Sequence, residues 1–120
     1  MKIPKKIPEE EAKKLCEIIK NIGLIIREEV IQKHRYVKDG YTYIDYYDAP
    51  GYVNRKEFCA YLGYKFDNMG ETFVHECLHL KFPEMSEVNV ERLTLPFWNE
   101  PLVRKVARER LIDALGKYKL

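Results

Sequence analysis

Histidine and cysteine are scarce in this chain, at three each, and its acidic and basic side chains almost cancel. Each shortage excludes something. Cys16, Cys59 and Cys77 are odd in number and spaced to form neither a C-x-x-C site nor a disulfide framework, which favours a reducing, cytoplasmic setting. The 21 lysines and arginines exceed the 19 acids by two, a field too weak to imply nucleic acid or a membrane surface as partner. No apolar run is long enough to cross a bilayer. At the N-terminus, MKIPKKIPEEE is interrupted by prolines and then glutamates before it can form the apolar stretch of a signal peptide. A Gly/Ser-rich linker and low-complexity segments are also missing, so residues 1–120 read as a single domain. What is present is a hydrophobic fraction of 46%, enough for a core.

Along the chain, Ala12, Leu15, Cys16, Ile18 and Ile19 recur at helical spacing behind Glu9–Glu11, and Gly23 marks the end of that helix. GLIIREEVIQKHRYV alternates only in part, at Leu24, Ile26 and Val30, and reads as strand, although Ile22, Ile25, Ile26 and Val30 would also suit a helix. Lys38-Asp39-Gly40 predicts a turn, and YTYIDYY behind it is rich in β-formers up to a second turn at Asp48–Gly51. Alternation from Phe58 to Phe66 predicts a further strand, and Asp67, Asn68 and Gly70 supply turn and cap residues before the next helix. Phe82-Pro83 must end that helix. Ser86 then caps a second helix that runs to Pro96, and a last helix follows from Asn99 with Val103, Ala107, Leu111 and Tyr118 in one stripe. The order predicts an α+β fold: a small mixed or antiparallel sheet with an N-terminal backing helix and three further helices.

Two of the three histidines fall in VHECLHL, residues 74–80. On a helix, His75 and His79 are one turn apart and share a face, so both imidazoles can reach one ion. At ~100° per residue, Phe73, Val74, Cys77, Leu78 and Leu80 gather on the opposite side. The histidines therefore turn away from the core, with Thr72 and Glu76 beside them. Glu76 is placed to contact a zinc-activated water as general base. The plain alternative is an amphipathic surface helix that happens to hold both histidines.

A catalytic zinc takes three protein ligands. With no later histidine in the chain, the third must be an acid. The helix opened by SEVNVE folds back across the first, bringing Glu87 near His79 and Glu91 near His75. Either glutamate could ligate while the other fixes a histidine through its free N–H. Glu84, in the loop, is a poorer candidate.

A strand, a helix with HExxH and a following helix that donates a glutamate together resemble the gluzincin metallopeptidases. The run HECLHLKFPEMSEVNVERLT, in so short a chain, resembles more narrowly the minigluzincins, small archaeal proteins that reduce that catalytic domain to its core. The resemblance implies zinc as cofactor, with His75, His79 and Glu87 as ligands, Glu91 as support for a histidine and Glu76 as catalytic base. It implies hydrolysis of peptide bonds in peptide or unfolded protein substrates, with the strand around Phe58–Phe66 as the edge on which an extended substrate pairs. It also implies a latent, zymogen-like form with a terminal segment in the cleft. The competing expectation is a catalytically silent, zinc-stabilised binding or regulatory module. A nucleic-acid role for the basic C-terminal helix is a weaker third.

Overall fold

The computed structural model describes Pro4 and residues 6–116. Three acids open helix α1, Glu9–Asn21, where they oppose the positive end of its dipole, and Ala12, Leu15, Cys16 and Ile19 form its buried stripe. Strand β1, Gly23–Arg27, follows at once, and β2, Val30–Lys38, begins after Glu28 and Glu29. A tight turn with Asp39 and Gly40 at positive φ returns the chain along β3, Tyr41–Ala49. Then come β4, Gly51–Asn54, β5, Cys59–Gly63, and helices α2, Met69–Lys81, α3, Glu87–Trp98, and α4, Pro101–Gly116. Pro101 sits at the first position of α4, where its missing N–H is harmless.

The strands divide into two sheets, in keeping with the predicted α+β class. One is mixed and three-stranded, in the order β1-β5-β4, with β1 parallel and β4 antiparallel to β5. The other is a two-stranded ribbon of β2 and β3. The radius of gyration, 15.5 Å, exceeds the ~14 Å of a compact chain of this length, as expected for a body with a projecting ribbon.

A single core lies between the three-stranded sheet and the helices: Ile26, Ala60 and Leu62 from strands meet Leu15, Ile19, Phe73, Val74, Leu78, Val103 and Ala107. Helix α2 touches α1, α3, α4, β4 and β5, so it is held from several sides. Close approach explains two glycines. A Cβ at Gly51 would lie 2.8 Å from Thr72 Cγ2 and 2.9 Å from Tyr61 O, and one at Gly70 would lie 2.3 Å from the Trp98 ring. Arg110 on α4 donates to the carbonyls of Ile19, Lys20 and Ile22 at 2.7–2.9 Å, satisfying acceptors that the end of α1 leaves open.

Three sequence expectations need correction. The strand read from Phe58 to Phe66 is only Cys59–Gly63, because Phe58 adopts a left-handed φ of 50° in the turn and its carbonyl accepts from Gly23 N. It is also the central strand, paired on both sides, so it offers no edge to a substrate; β1 and β4 are the edges, and β4 is the one beside the cleft. Finally, Pro96 does not end α3. The helix continues to Trp98, with Phe97 buried, and the ladder resumes at Asn99 N to Leu95 O, so packing outweighs one lost hydrogen bond near the last turn. Tyr118 and the chain ends invoked for latency lie outside the described residues.

Candidate metal centre

The site is built on α2 and α3. Helix α2 ends at Lys81, before Pro83, and Phe82 N still bonds to Leu78 O. Ser86 then starts α3, its Oγ accepting from Asn89 N at 3.3 Å. Phe73, Val74, Cys77 and Leu78 are fully buried, which fixes the rotation of α2 and turns His75 and His79 toward an open cleft. Leu80, placed on the apolar side by helical geometry, is only half-buried, while Thr72 and Glu76 are buried.

Glu87 meets both histidines. Its Oε1 lies 2.7 Å from His75 Nε2 and its Oε2 2.7 Å from His79 Nε2. The two Nε2 atoms are 3.3 Å apart. Glu91 is placed differently, 3.3 Å from His75 Nδ1. Glu84 takes no part in this cluster.

Thr94, to which the sequence reading gave no role, also contacts His75 Nδ1, at 3.0 Å. Its hydroxyl donates to Val90 O at 2.8 Å, so its oxygen is left to accept. His75 therefore carries its proton on Nδ1 and turns the Nε2 lone pair toward His79 and Glu87. The clue in the sequence was spacing: Glu87, Glu91 and Thr94 follow the four- and three-residue steps of one helix face.

Two imidazole nitrogens and the Glu87 carboxylate thus converge, and either Nε2 protons donated to Glu87 or a metal ion can hold the three together. Two imidazole nitrogens and one carboxylate oxygen match a catalytic zinc donor set, and bonds of 2.0–2.1 Å imply ~3.3 Å between ligand atoms in a tetrahedron. The histidine pair already has that separation, and the three candidate ligand atoms lie within 4.8 Å of one another. The residues fit the group.

Glu76 lines the same cleft, a space of about 600 Å³ bordered also by Gln32, Tyr47, Gly51, Tyr52, Glu71 and Thr72. Burial, and next the nearby charge of Glu87, raise its pKa from 4.5 to about 7. Burial likewise lowers the pKa of His79, which favours the neutral imidazole that a metal requires. Of the nine tyrosines in the chain, Tyr47 and Tyr52 line the cleft. Beyond His79, a shallower extension is bordered by Arg55 and Lys56. Cys16, Cys59 and Cys77 are free and buried, and burial raises each thiol's pKa, so none is poised as a nucleophile.

No protein-family model, curated protein or solved structure matches the chain. No helix among the described residues is long and apolar enough to cross a membrane.

Proposed function

We propose that the chain is a zinc-dependent endopeptidase of the gluzincin type, with His75, His79 and Glu87 as the metal ligands and Glu76 as the general base. The observation that carries this reading is the convergence of those three donors beside a buried carboxylate in one open cleft. When bound, zinc supplies Lewis acidity to a carbonyl oxygen and lowers the pKa of water.

The chain's own residues divide the remaining tasks. His75 is oriented by Thr94 and Glu91, which hold its Nδ1–H. Glu76 has a proton affinity raised to near neutrality, so it can take a proton from water and return it to a departing amine at the same pH. Edge strand β4 borders the cleft through Gly51 and Tyr52, and its unpaired side offers backbone groups to an extended peptide. The hydroxyls of Tyr47 and Tyr52 and the Arg55 guanidinium are the nearby donors available for a developing oxyanion.

The test is Glu76→Gln. The amide cannot accept a proton, so this variant should bind zinc like wild type and lose at least ~100-fold in peptide cleavage. Unchanged cleavage would remove Glu76 from the mechanism. A wild-type protein that binds zinc, unfolds when it is chelated and cleaves nothing would instead be the metal-stabilised binding module.

A further inference from the structure

The β2–β3 ribbon is in register from Val30↔Ala49 at its root to Lys38↔Tyr41 at its tip. Directly paired residues share a face, and the faces alternate along each strand. Val30 and Ala49 are buried at the root. Two steps outward on the same face, Gln32 and Tyr47 line the candidate metal cleft. That face then carries the pairs His34↔Asp45, Tyr36↔Tyr43 and Lys38↔Tyr41.

The cleft wall and the outer ribbon are therefore one continuous surface, and much of it is aromatic. The His34 ring stacks on Tyr36 at 5.6 Å, and Tyr36 stacks on Tyr43 at 5.3 Å. Tyr41, Tyr43 and Tyr47 remain 70%, 43% and 52% exposed. A two-stranded ribbon gains little stability by itself. The opposite face is as exposed at Ile31, Val37, Ile44 and Tyr46, and what sets this face apart is its stacked aromatic rings and its continuity with the cleft through Gln32 and Tyr47.

We infer that this face is an exosite for the polypeptide substrate, which it engages as an extended segment through aromatic and apolar side chains. From Gln32 to Lys38 the ribbon spans ~20 Å, the length of about six extended residues. The substrate class is then long, unfolded polypeptide, with short peptides spanning the cleft alone. This deepens the peptidase reading and rests on it. Charge argues against nucleic acid as the occupant: the face carries Lys38 against Asp45, whereas Lys33 and Arg35 point to the other side. A sequence-tolerant aromatic surface without net charge suits unfolded chains of varied sequence.

Two fluorescent probes test the inference, a 30-residue unstructured peptide containing Phe and Leu and an eight-residue peptide from its centre. Binding is read by anisotropy on the metal-free full chain. Tyr36→Ser with Tyr43→Ser should weaken binding of the long probe at least tenfold and leave the short probe unchanged. Arg35→Ser with Ile44→Ser, a cross-strand pair on the opposite face, should stay within twofold of wild type. Equal losses from both faces, or no loss from the tyrosine pair, would overturn the exosite. So would a tyrosine-pair variant that only converts a dimer to monomer in sedimentation, because the occupant would then be a second copy of the chain.

Photo-crosslinking to the wild-type protein needs no variant to fold. A photoreactive long probe should attach at His34, Tyr36 or Tyr43; attachment at Ile31 or Val37, or nowhere on the ribbon, would contradict the proposal. Because binding is measured without metal, it can succeed while cleavage by the zinc-loaded chain fails, which separates failure of the peptidase reading from failure of the exosite.

Discussion

Helix α2 and the β2–β3 ribbon border the same cleft and are held in opposite ways. Six of the residues of α2 are buried, among them Phe73, Val74, Cys77 and Leu78 with no exposure, and five other elements touch it. The ribbon buries Val30 and Ala49 at its root and leaves Ile31, Val37, Ile44 and Tyr46 at least half exposed. Packing from all sides fixes imidazoles to within the tolerance that metal ligation demands, whereas a two-stranded ribbon can present a surface but cannot fix a coordination geometry. On the proposed reading, two metal ligands and the general base sit on the clamped helix and the exosite on the ribbon.

The largest expected contrast is in stability. Phe73→Ala should cost about 3–5 kcal/mol by denaturant unfolding, because it empties a filled core position. Val37→Ser on the ribbon should stay within about 0.5 kcal/mol. A ribbon substitution that destabilised the whole chain as much as Phe73→Ala would break the comparison.

A second contrast concerns the charge that the scaffold keeps buried. Glu76 has a higher pKa folded than unfolded, so between about pH 4.5 and 7 the folded chain holds more protons. Its contribution to stability therefore falls as pH rises through that window, and the penalty is complete above pH 7. In metal-free protein at pH 8, Glu76→Gln should stabilise by something on the order of 3 kcal/mol, since each pKa unit is worth about 1.4. The variant's stability should also change less than wild type's between pH 4.5 and 7. Tyr46→Ser on the ribbon should leave the wild-type slope intact. An unchanged slope in Glu76→Gln would show that the buried carboxylate is not its source.

The third contrast is finer. Thr94→Val removes the acceptor for His75 Nδ1–H and should weaken zinc binding about 10- to 100-fold in a chelator competition, with Thr94→Ser restoring most of it. Tyr36→Ser should leave zinc affinity unchanged. Equal losses from Thr94→Val and Thr94→Ser would mean that Thr94 acts through packing rather than through its hydroxyl.

Local patterns made much of this fold readable. The apolar steps of α1 and α2, the Lys38–Gly40 turn and the Ser86 cap each depend on residues a few positions apart. The pairing of β1 with β5 joins Gly23 to Cys59, and nothing in the alternation around Cys59 says whether that strand is central or at an edge. At Pro96, a local rule gave way to the burial of Phe97 beside it. In the cleft, H-E-x-x-H shows which residues share a turn. Glu87 and Glu91 differ by one turn of one helix, so spacing alone left both open, and only the docking of α3 on α2 brings Glu87 to both Nε2 atoms. Thr94 escaped notice because its role depends on where its hydroxyl proton goes, a property of the folded helix.

Metal content after purification and dialysis against zinc tests the central claim most directly, on wild type, Glu87→Ala and Glu91→Ala. Wild type should hold about one zinc per chain, Glu87→Ala should lose it, and Glu91→Ala should keep it with weaker affinity. Zinc retained in Glu87→Ala but lost in Glu91→Ala, or a wild-type protein that takes up none, would contradict the assigned site.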